Sequence, residues 1–386
     1  MPVENLDPKP SGAAFQSPID FSFEANLVGI KLIGGVYASL HPLSIVFAAL
    51  ALLIVDGIES LWPISPAEIV RSSDMTDPVA DQGPLSLTPA SSLWPSRVGP
   101  LNVAAELMQP WVGSDGSHWG RDLVMGLIGL LVWSWVGTLI CRHSALALVR
   151  ADHRWSATIR FTNQHYLDAL FSFLIPLATV VVLSLPLVAC GWLLVANLPS
   201  ILGAPLAVFG AGFGLLIGVV LLGFVLGWPL MLPAIAFEGR DSFESISRAY
   251  AYILQRPLHS ILVALAAIVI GSLAGYVVEL FFSFSANGYL WALSWGANAG
   301  SPQRLAEILQ PTESTDSAIV QYWTGPWLRT GLATFELLGR AATYAMFWGL
   351  ASGSYLLLRR YLDQTPLDEI YRPGMAMLQP LEKQTD

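Results

Sequence analysis

Apolar residues in this chain gather into long blocks, and most of the charge falls in the segments between them. The longest block runs from 169 to 237, 69 consecutive residues without one Asp, Glu, Lys, Arg or His. As a single helix it would be on the order of 100 Å long, about three times the hydrocarbon core of a bilayer. The block must fold back on itself, and Asn197, Leu198, Pro199 and Ser200 supply the turn. The result is a membrane hairpin of two helices, because backbone in lipid has to satisfy its own hydrogen bonds.

The same pattern predicts six spans, near 32–55, 123–141, 169–196, 204–230, 258–278 and 341–358, the first steadiest after Pro42. Each is long enough to cross ~30 Å of hydrocarbon, which takes about 20 helical residues. The expected fold is all-α, a polytopic transmembrane helix bundle with cytosolic interfacial helices. A tail at 1–31 precedes the membrane domain at 32–358, and a second tail follows at 359–386. Segments 56–122 and 284–329 are the expected outer loops, and 142–168 and 238–257 the cytosolic connections. The stretch 1–24 is acidic and contains proline, without the basic start of a cleavable signal, so the first span is expected to stay as an anchor.

Composition agrees with the pattern. Hydrophobic residues make up 54% and charged residues 12%, with a mean hydropathy of +0.57; a soluble domain carries roughly 25% charged. The net charge of −9 argues against nucleic acid, which requires a basic footprint. The lipid bilayer is the expected partner, with protein partners at the cytosolic face or at outer loop 56–122. Cys141 and Cys190 fall at opposite ends of successive spans and make neither a disulfide nor a zinc site. No metal and no cofactor is expected.

Orientation follows from lysine and arginine. With both termini in the cytosol, inner segments hold 13 of them and outer loops 5, while Arg340, close to a span, completes the 19. Loop 56–122 has eight prolines and no cysteine, and reads as weakly ordered apart from a short helix around 102–108. In the other outer segment Tyr289, Trp291, Trp295, Trp323 and Trp327 suit an aromatic belt.

Small residues recur every four positions in the later spans. Gly214 and Gly218, Gly223 and Gly227, Ala267, Gly271 and Gly275, and Ala341, Ala345, Gly349 and Gly353 form such stripes. They point to close helix packing within one bundle, with a conduction path or dimer seam as the other reading. Arg340 lies 19 residues, about 28 Å, from Arg359, which places it at the outer interface rather than the midplane. Glu336, four residues earlier, is its expected partner, giving an outer-interface pair, and Glu279 closes the fifth span. His41, His143, His153, His165 and His259 gather toward the cytosolic face without the spacing of a helical metal site.

The most specific local pattern follows the fourth span. Pro229 and Pro233 are expected to end that span. Asp241 caps the next helix, Glu244 completes a box-like arrangement, and Pro257 forces the stop. Phe243, Ile246, Tyr250 and Ile253 recur at helical spacing, so 242–255 reads as an amphipathic helix on the inner surface. Arg240, Asp241, Glu244, Arg248 and Arg256 are its candidate lipid or partner contacts, with Arg248 and Arg256 set against anionic headgroups. The other reading turns Arg248 inward to Glu238 or Asp152. A shift of 88 residues aligns Trp155 with Phe243 and Arg160 with Arg248, suggesting a repeat of span, short helix, span.

The stretches 226–229, 238–243 and 246–252, with Arg142, His143, Ser144 and Ala145 after the second span, resemble a bacterial family of uncharacterised polytopic membrane proteins. A looser likeness is to the membrane-anchor region of some glycerophosphodiester phosphodiesterases, whose catalytic barrel has no counterpart here. The resemblance implies a membrane fold and no particular activity.

Enzyme motifs for zinc, nucleoside phosphates or dinucleotides are missing, and Ser352 within Gly349–Gly353 has no histidine base in another span's core. The expected function is an integral membrane protein without a catalytic site that organises or supports a membrane assembly. The alternative is a transporter or channel for a small, uncharged solute; Pro176 and Pro186 offer the interrupted spans it wants, and Thr179 and Ser184 the polar groups.

Overall fold

The computed structural model describes residues 21–61, 99–112, 119–151, 154–195, 200–296, 318–363 and 370–371. Most of the expected outer loop 56–122, the expected turn at 197–199, Asp152, His153, most of the two tails and the side chain of Trp323 lie outside them. The described residues form ten helices: α1 (Phe21–Ser39), α2 (Pro42–Ser60), α3 (Pro100–Val112), α4 (Trp119–Leu148), α5 (Trp155–Gln164), α6 (Tyr166–Val195), α7 (Ser200–Glu238), α8 (Ser242–Gln255), α9 (Pro257–Gly296) and α10 (Ala318–Asp363). The architecture is an all-α bundle.

Five stretches are long and apolar enough to cross a membrane: Pro42–Ser60, Gly120–Leu148, Tyr166–Trp192, Gly210–Glu238 and Pro257–Leu293. The chain is therefore a multi-pass membrane protein. The sixth expected span falls inside α10, where every residue from 341 to 359 is buried. This helix packs against α1, α2, α4, α7 and α9 and forms the centre of the bundle. Enclosed by protein rather than lipid, it can carry Thr343 and Ser352, whose hydroxyls donate to carbonyls one turn earlier.

The expected first span, 32–55, is broken in two. His41 sits in extended conformation between α1 and α2, and its ring accepts a hydrogen bond from the Leu43 amide. Pro42 causes the break, since the residue before proline avoids helical geometry while proline itself suits a first helical position. Other elements run longer than the pattern suggested. α4 continues past Cys141 to Leu148, so Arg142 and His143 are helical and buried instead of belonging to a connection. α7 continues through Pro229 and Pro233 to Glu238. Residues 230–237 are all buried, and that packing overrides the local cost of proline.

α9 and α10 extend beyond the expected span ends, and at 40 residues α9 is about 60 Å long. Trp291, Trp295 and Trp327 are exposed on these extensions, and α9 runs on well beyond Glu279. α3 covers the short helix expected at 102–108.

The small-residue stripes divide by function. A side chain at Gly349 would collide with the Gly35 carbonyl and Ser39 of α1, and one at Gly353 would lie 3.0 Å from the Lys31 carbonyl. Gly223 and Gly227 receive Tyr250 and Ile253 of α8, while Gly271 receives Leu350 of α10. Gly214 and Gly218 meet nothing within 4 Å among the described residues. Most of the pattern is close packing inside one bundle. The span–short helix–span unit does occur twice, as α4–α5–α6 and α7–α8–α9. The aligned residues differ in role, however: Trp155 stacks on His143 at 4.5 Å while Phe243 is exposed.

Candidate functional site

The C-terminus of α7 concentrates the charge at one end of the bundle. The last four carbonyls of a helix lack partners within it, and three separate devices supply them here. Gly239 adopts φ +63° and its amide donates to the Ile235 carbonyl at 2.8 Å, a left-handed stop that glycine alone makes without strain. The Tyr371 amide donates to the Phe237 carbonyl at 2.9 Å. Arg142 of α4 donates through Nη1 to the Ala236 carbonyl at 2.6 Å and through Nη2 to the Tyr371 carbonyl at 2.7 Å. Its guanidinium also lies 4.2 Å from the centre of the Phe161 ring, an attraction between cation and ring face. One buried arginine thus ties α4, α5, α7 and residue 371 together.

Glu238, the last residue of α7, is the hub of the ion pairs. Its side chain is only 6% exposed; Oε1 accepts from Arg248 at 2.8 Å and from the Tyr355 hydroxyl at 2.6 Å. Arg359 lies 3.4 Å from the same oxygen, and Arg240 lies 3.9 Å from Oε2. Arg248 also reaches Glu244 at 3.1 Å and Asp363 at 3.4 Å, and the Tyr252 hydroxyl donates to Asp363 at 2.5 Å. Burial is the largest single influence on Arg248 and lowers its pKa, but the Glu238 carboxylate acting together with the Tyr355 and Tyr252 hydroxyls outweighs it and holds that guanidinium further above its ordinary range. Burial and then the bond to Asp363 push the Tyr252 hydroxyl upward, so it remains a donor throughout the physiological range.

This geometry revises the expectation for 242–255. The helix, its cap and its stop are as read, with the Glu244 amide donating to Asp241 at 3.0 Å. The buried face differs. Ser245, Ala249, Tyr252 and Ile253 are buried against the bundle, whereas Phe243 is 71% exposed. Arg248 flanks the buried face and pairs with Glu238, so the inward reading is the one the fold realises. Arg240 pairs with Glu244 at 3.1 Å, and Arg256 is exposed at the end of α8. Arg248→Lys is accordingly expected to lower stability by about 1–2 kcal/mol, since one ammonium cannot reproduce a planar fork shared by several carboxylates. Thermal unfolding in mild detergent checks this, and a silent substitution would return Arg248 to the headgroup role.

At the opposite end Arg340 donates to Asp56 of α2 at 2.9 Å. Glu336, the expected partner, is exposed. A pair between α2 and α10 fixes two elements, which a neighbour on the same helix could not. Arg121 meets Glu59 at 3.3 Å, and the Tyr344 hydroxyl donates to Glu106 of α3.

These groups ring a cavity of about 530 Å³, within the usual range for small-molecule sites. Its charged lining residues, Asp56, Glu59, Glu106, Arg121, Asp122 and Arg340, are half-buried or exposed and so mark its solvent side. Its aromatic lining residues Trp133, Phe173, Phe224, Trp228 and Trp348 are buried and make its inner wall. Trp133 stacks on Tyr344 at 4.6 Å, and Trp228 meets Trp348 edge-on at 5.8 Å. Ser134 Oγ and Trp348 Nε1 are buried in that wall, and neither has a hydrogen-bond partner among the described residues. Sequence reasoning missed this site because its residues come from six separate helices. It missed Glu238 as a hub as well, although Glu238 was visible as the charge that ends the apolar block.

No group of three or more His, Cys, Asp or Glu residues suited to a metal occurs among the described residues. No family model, curated protein or solved structure matches the chain.

Proposed function

We propose that this multi-pass protein binds a small amphiphilic solute in the cavity at the Arg340 end and passes it across the membrane, with the Glu238 end closed in the present conformation. The reading rests on one observation, a cavity with a charged mouth that penetrates to aromatic side chains deep in the bundle. Trp348 lies eight residues from Arg340 and eleven from Arg359 along α10, about 12 and 16 Å. The wall at Trp348 is therefore near the middle of a ~30 Å core. A protein that only organised an assembly would have no need for such a recess, and unfilled space lined by tryptophan forfeits packing.

The distribution of lysine and arginine supports placing the Glu238 end in the cytosol and the cavity mouth outside. α8 then lies on the inner side, with Phe243 facing lipid. The seal at the inner end is built from ion pairs and arginine-to-carbonyl bonds instead of apolar interdigitation. Such contacts can exchange for water when they part, as alternating exposure of a central site requires.

The test uses Gly129→Cys, a cavity-lining position where an added Cβ meets nothing within 4 Å, in a background with Cys141→Ala and Cys190→Ala. An impermeant thiol reagent is expected to label this position from the outside and not from the cytosolic side. Adding Glu238→Gln should loosen the seal and allow labelling from the cytosolic side as well. Labelling from neither side, in both backgrounds, would exclude a path and favour the assembly-organising role.

A further inference from the structure

At the Glu238 end of the bundle three cations come together with no acid paired to them. Lys31 of α1 donates from Nζ to the Leu148 carbonyl at 3.3 Å, at the end of α4, and Arg150 follows two residues later. α1 also rests on α10 here, where a side chain at Gly353 would lie 3.0 Å from the Lys31 carbonyl. Arg360 lies two helical turns beyond Gly353 and so on the same face of α10. Burial first, and then the charges of Arg150 and Arg360, lower the pKa of Lys31, which precedes the expected first span. Among the described residues none of the three cations is in an ion pair. Asp363, one turn on from Arg360, is already held by Arg248 and the Tyr252 hydroxyl.

The backbone beneath this cluster is strained. Arg150 has φ +55°, in a helix stop where its own amide donates to the Ala147 carbonyl and the Ala151 amide to the Leu146 carbonyl. Glycine takes that left-handed position without strain. Arginine there gives up local stability and adds a third charge to two of the same sign. The carbonyl ends of α4 and α10 attract each cation singly, but they do not offset three brought together. Beside the cations α1 carries a bare apolar stripe. Ile30, Ile33 and Tyr37, at i, i+3 and i+7, are 66%, 59% and 83% exposed, while Leu32 and Val36 are buried against the bundle.

We infer that Lys31, Arg150 and Arg360 hold the phosphate of an anionic phospholipid whose acyl chains lie along Ile30, Ile33 and Tyr37. A phosphate supplies the missing counter-charge and several acceptor oxygens at once. A lipid also covers the apolar stripe, which a free phosphate would leave bare. Phosphatidylcholine carries the same phosphate, but the cluster repels its quaternary ammonium. This lipid site is independent of whether a solute passes through the cavity.

Native mass spectrometry of the full chain in mild detergent resolves single lipid adducts and provides the test. Dioleoyl phosphatidylglycerol is compared with dioleoyl phosphatidylcholine, and inorganic phosphate serves as a soluble competitor. The first phosphatidylglycerol is expected to bind about tenfold more tightly than the first phosphatidylcholine, and millimolar phosphate to displace neither. Arg360→Gln should lose about fivefold in phosphatidylglycerol affinity. Arg240→Gln removes the same charge from a position paired with Glu244 and should lose less than about twofold. Arg150→Gly separates lipid binding from folding, because its two expected effects have opposite signs. Lipid-free protein should unfold about 2 °C higher once the backbone strain is relieved, while phosphatidylglycerol affinity falls about fivefold. Equal affinity for the two lipids, or equal losses from Arg360→Gln and Arg240→Gln, would overturn the site. A fall in both stability and affinity for Arg150→Gly would show a structural role and overturn the assignment. Displacement of phosphatidylglycerol by inorganic phosphate would make this a soluble-phosphate site and overturn the lipid reading.

Discussion

Glu238→Gln is expected to destabilise the folded protein by about 3–5 kcal/mol, the cost of removing one partner from a buried charged cluster. The carboxylate is nearly inaccessible, and Arg248, Arg359 and the Tyr355 hydroxyl all converge on Oε1. Glutamine preserves the shape and one acceptor but removes the buried charge that Arg248 and Arg359 share, leaving Arg248 to the more exposed Glu244 and Asp363. Its amide also places a donor where donors already crowd. A denaturant titration in mild detergent, with unfolding read by tryptophan fluorescence, measures the loss. Glu244→Gln serves as the contrast: its side chain is 34% exposed, and it should cost no more than about 1 kcal/mol. Equal midpoints for Glu238→Gln and the unaltered protein would show that the cluster does not hold α7, α8 and α10 together.

Gly349→Val is expected to be comparably severe, for a steric reason. The added Cβ would overlap the carbonyl of Gly35 and the Ser39 side chain of α1. The first of these is backbone, so no rotamer change relieves it, and α1 must move off the central helix. Overpacking of this kind costs about 3 kcal/mol where a core cannot yield, and here it also parts an interface made by close backbone approach. Gly218→Ala should leave stability within about 0.5 kcal/mol, because nothing in the described chain opposes it. Size-exclusion profiles and thermal midpoints of the two variants distinguish these outcomes. Equal behaviour would mean that the stripe in α10 is not an α1 contact.

The helical class and the membrane were legible in the sequence because they depend on long-range averages of polarity. A run of 69 residues without an ionisable group admits little besides lipid-spanning helix. Strictly local chemistry was equally legible. Asp241, Glu244 and Pro257 set the limits of α8, since capping and proline geometry involve residues a few positions apart. Pro42 held the same kind of information, and its break of the first span follows from the rule that fixes the end of α8.

Two things were decided only by tertiary structure. One is which face of an amphipathic helix turns inward. Of the expected stripe of α8, Tyr250 and Ile253 do pack over Gly223 and Gly227 of α7, but the helix is turned so that Ser245 and Ala249 are buried, Phe243 is exposed and Arg248 meets Glu238. Burial of a small residue against glycine gains close contact that a hydropathy pattern does not register. The other is partnership between distant charges. Arg340 found Asp56 across 284 positions and Arg142 found the Tyr371 carbonyl across 229, whereas sequence reasoning offered Arg340 only Glu336, one turn away. The cavity belongs to this second kind. Its carboxylates, tryptophans and unpartnered donors are scattered over α2, α3, α4, α6, α7 and α10. The sequence determined that these helices lie in a bilayer; the crossing of helices through close backbone contact determined which side chains share a space.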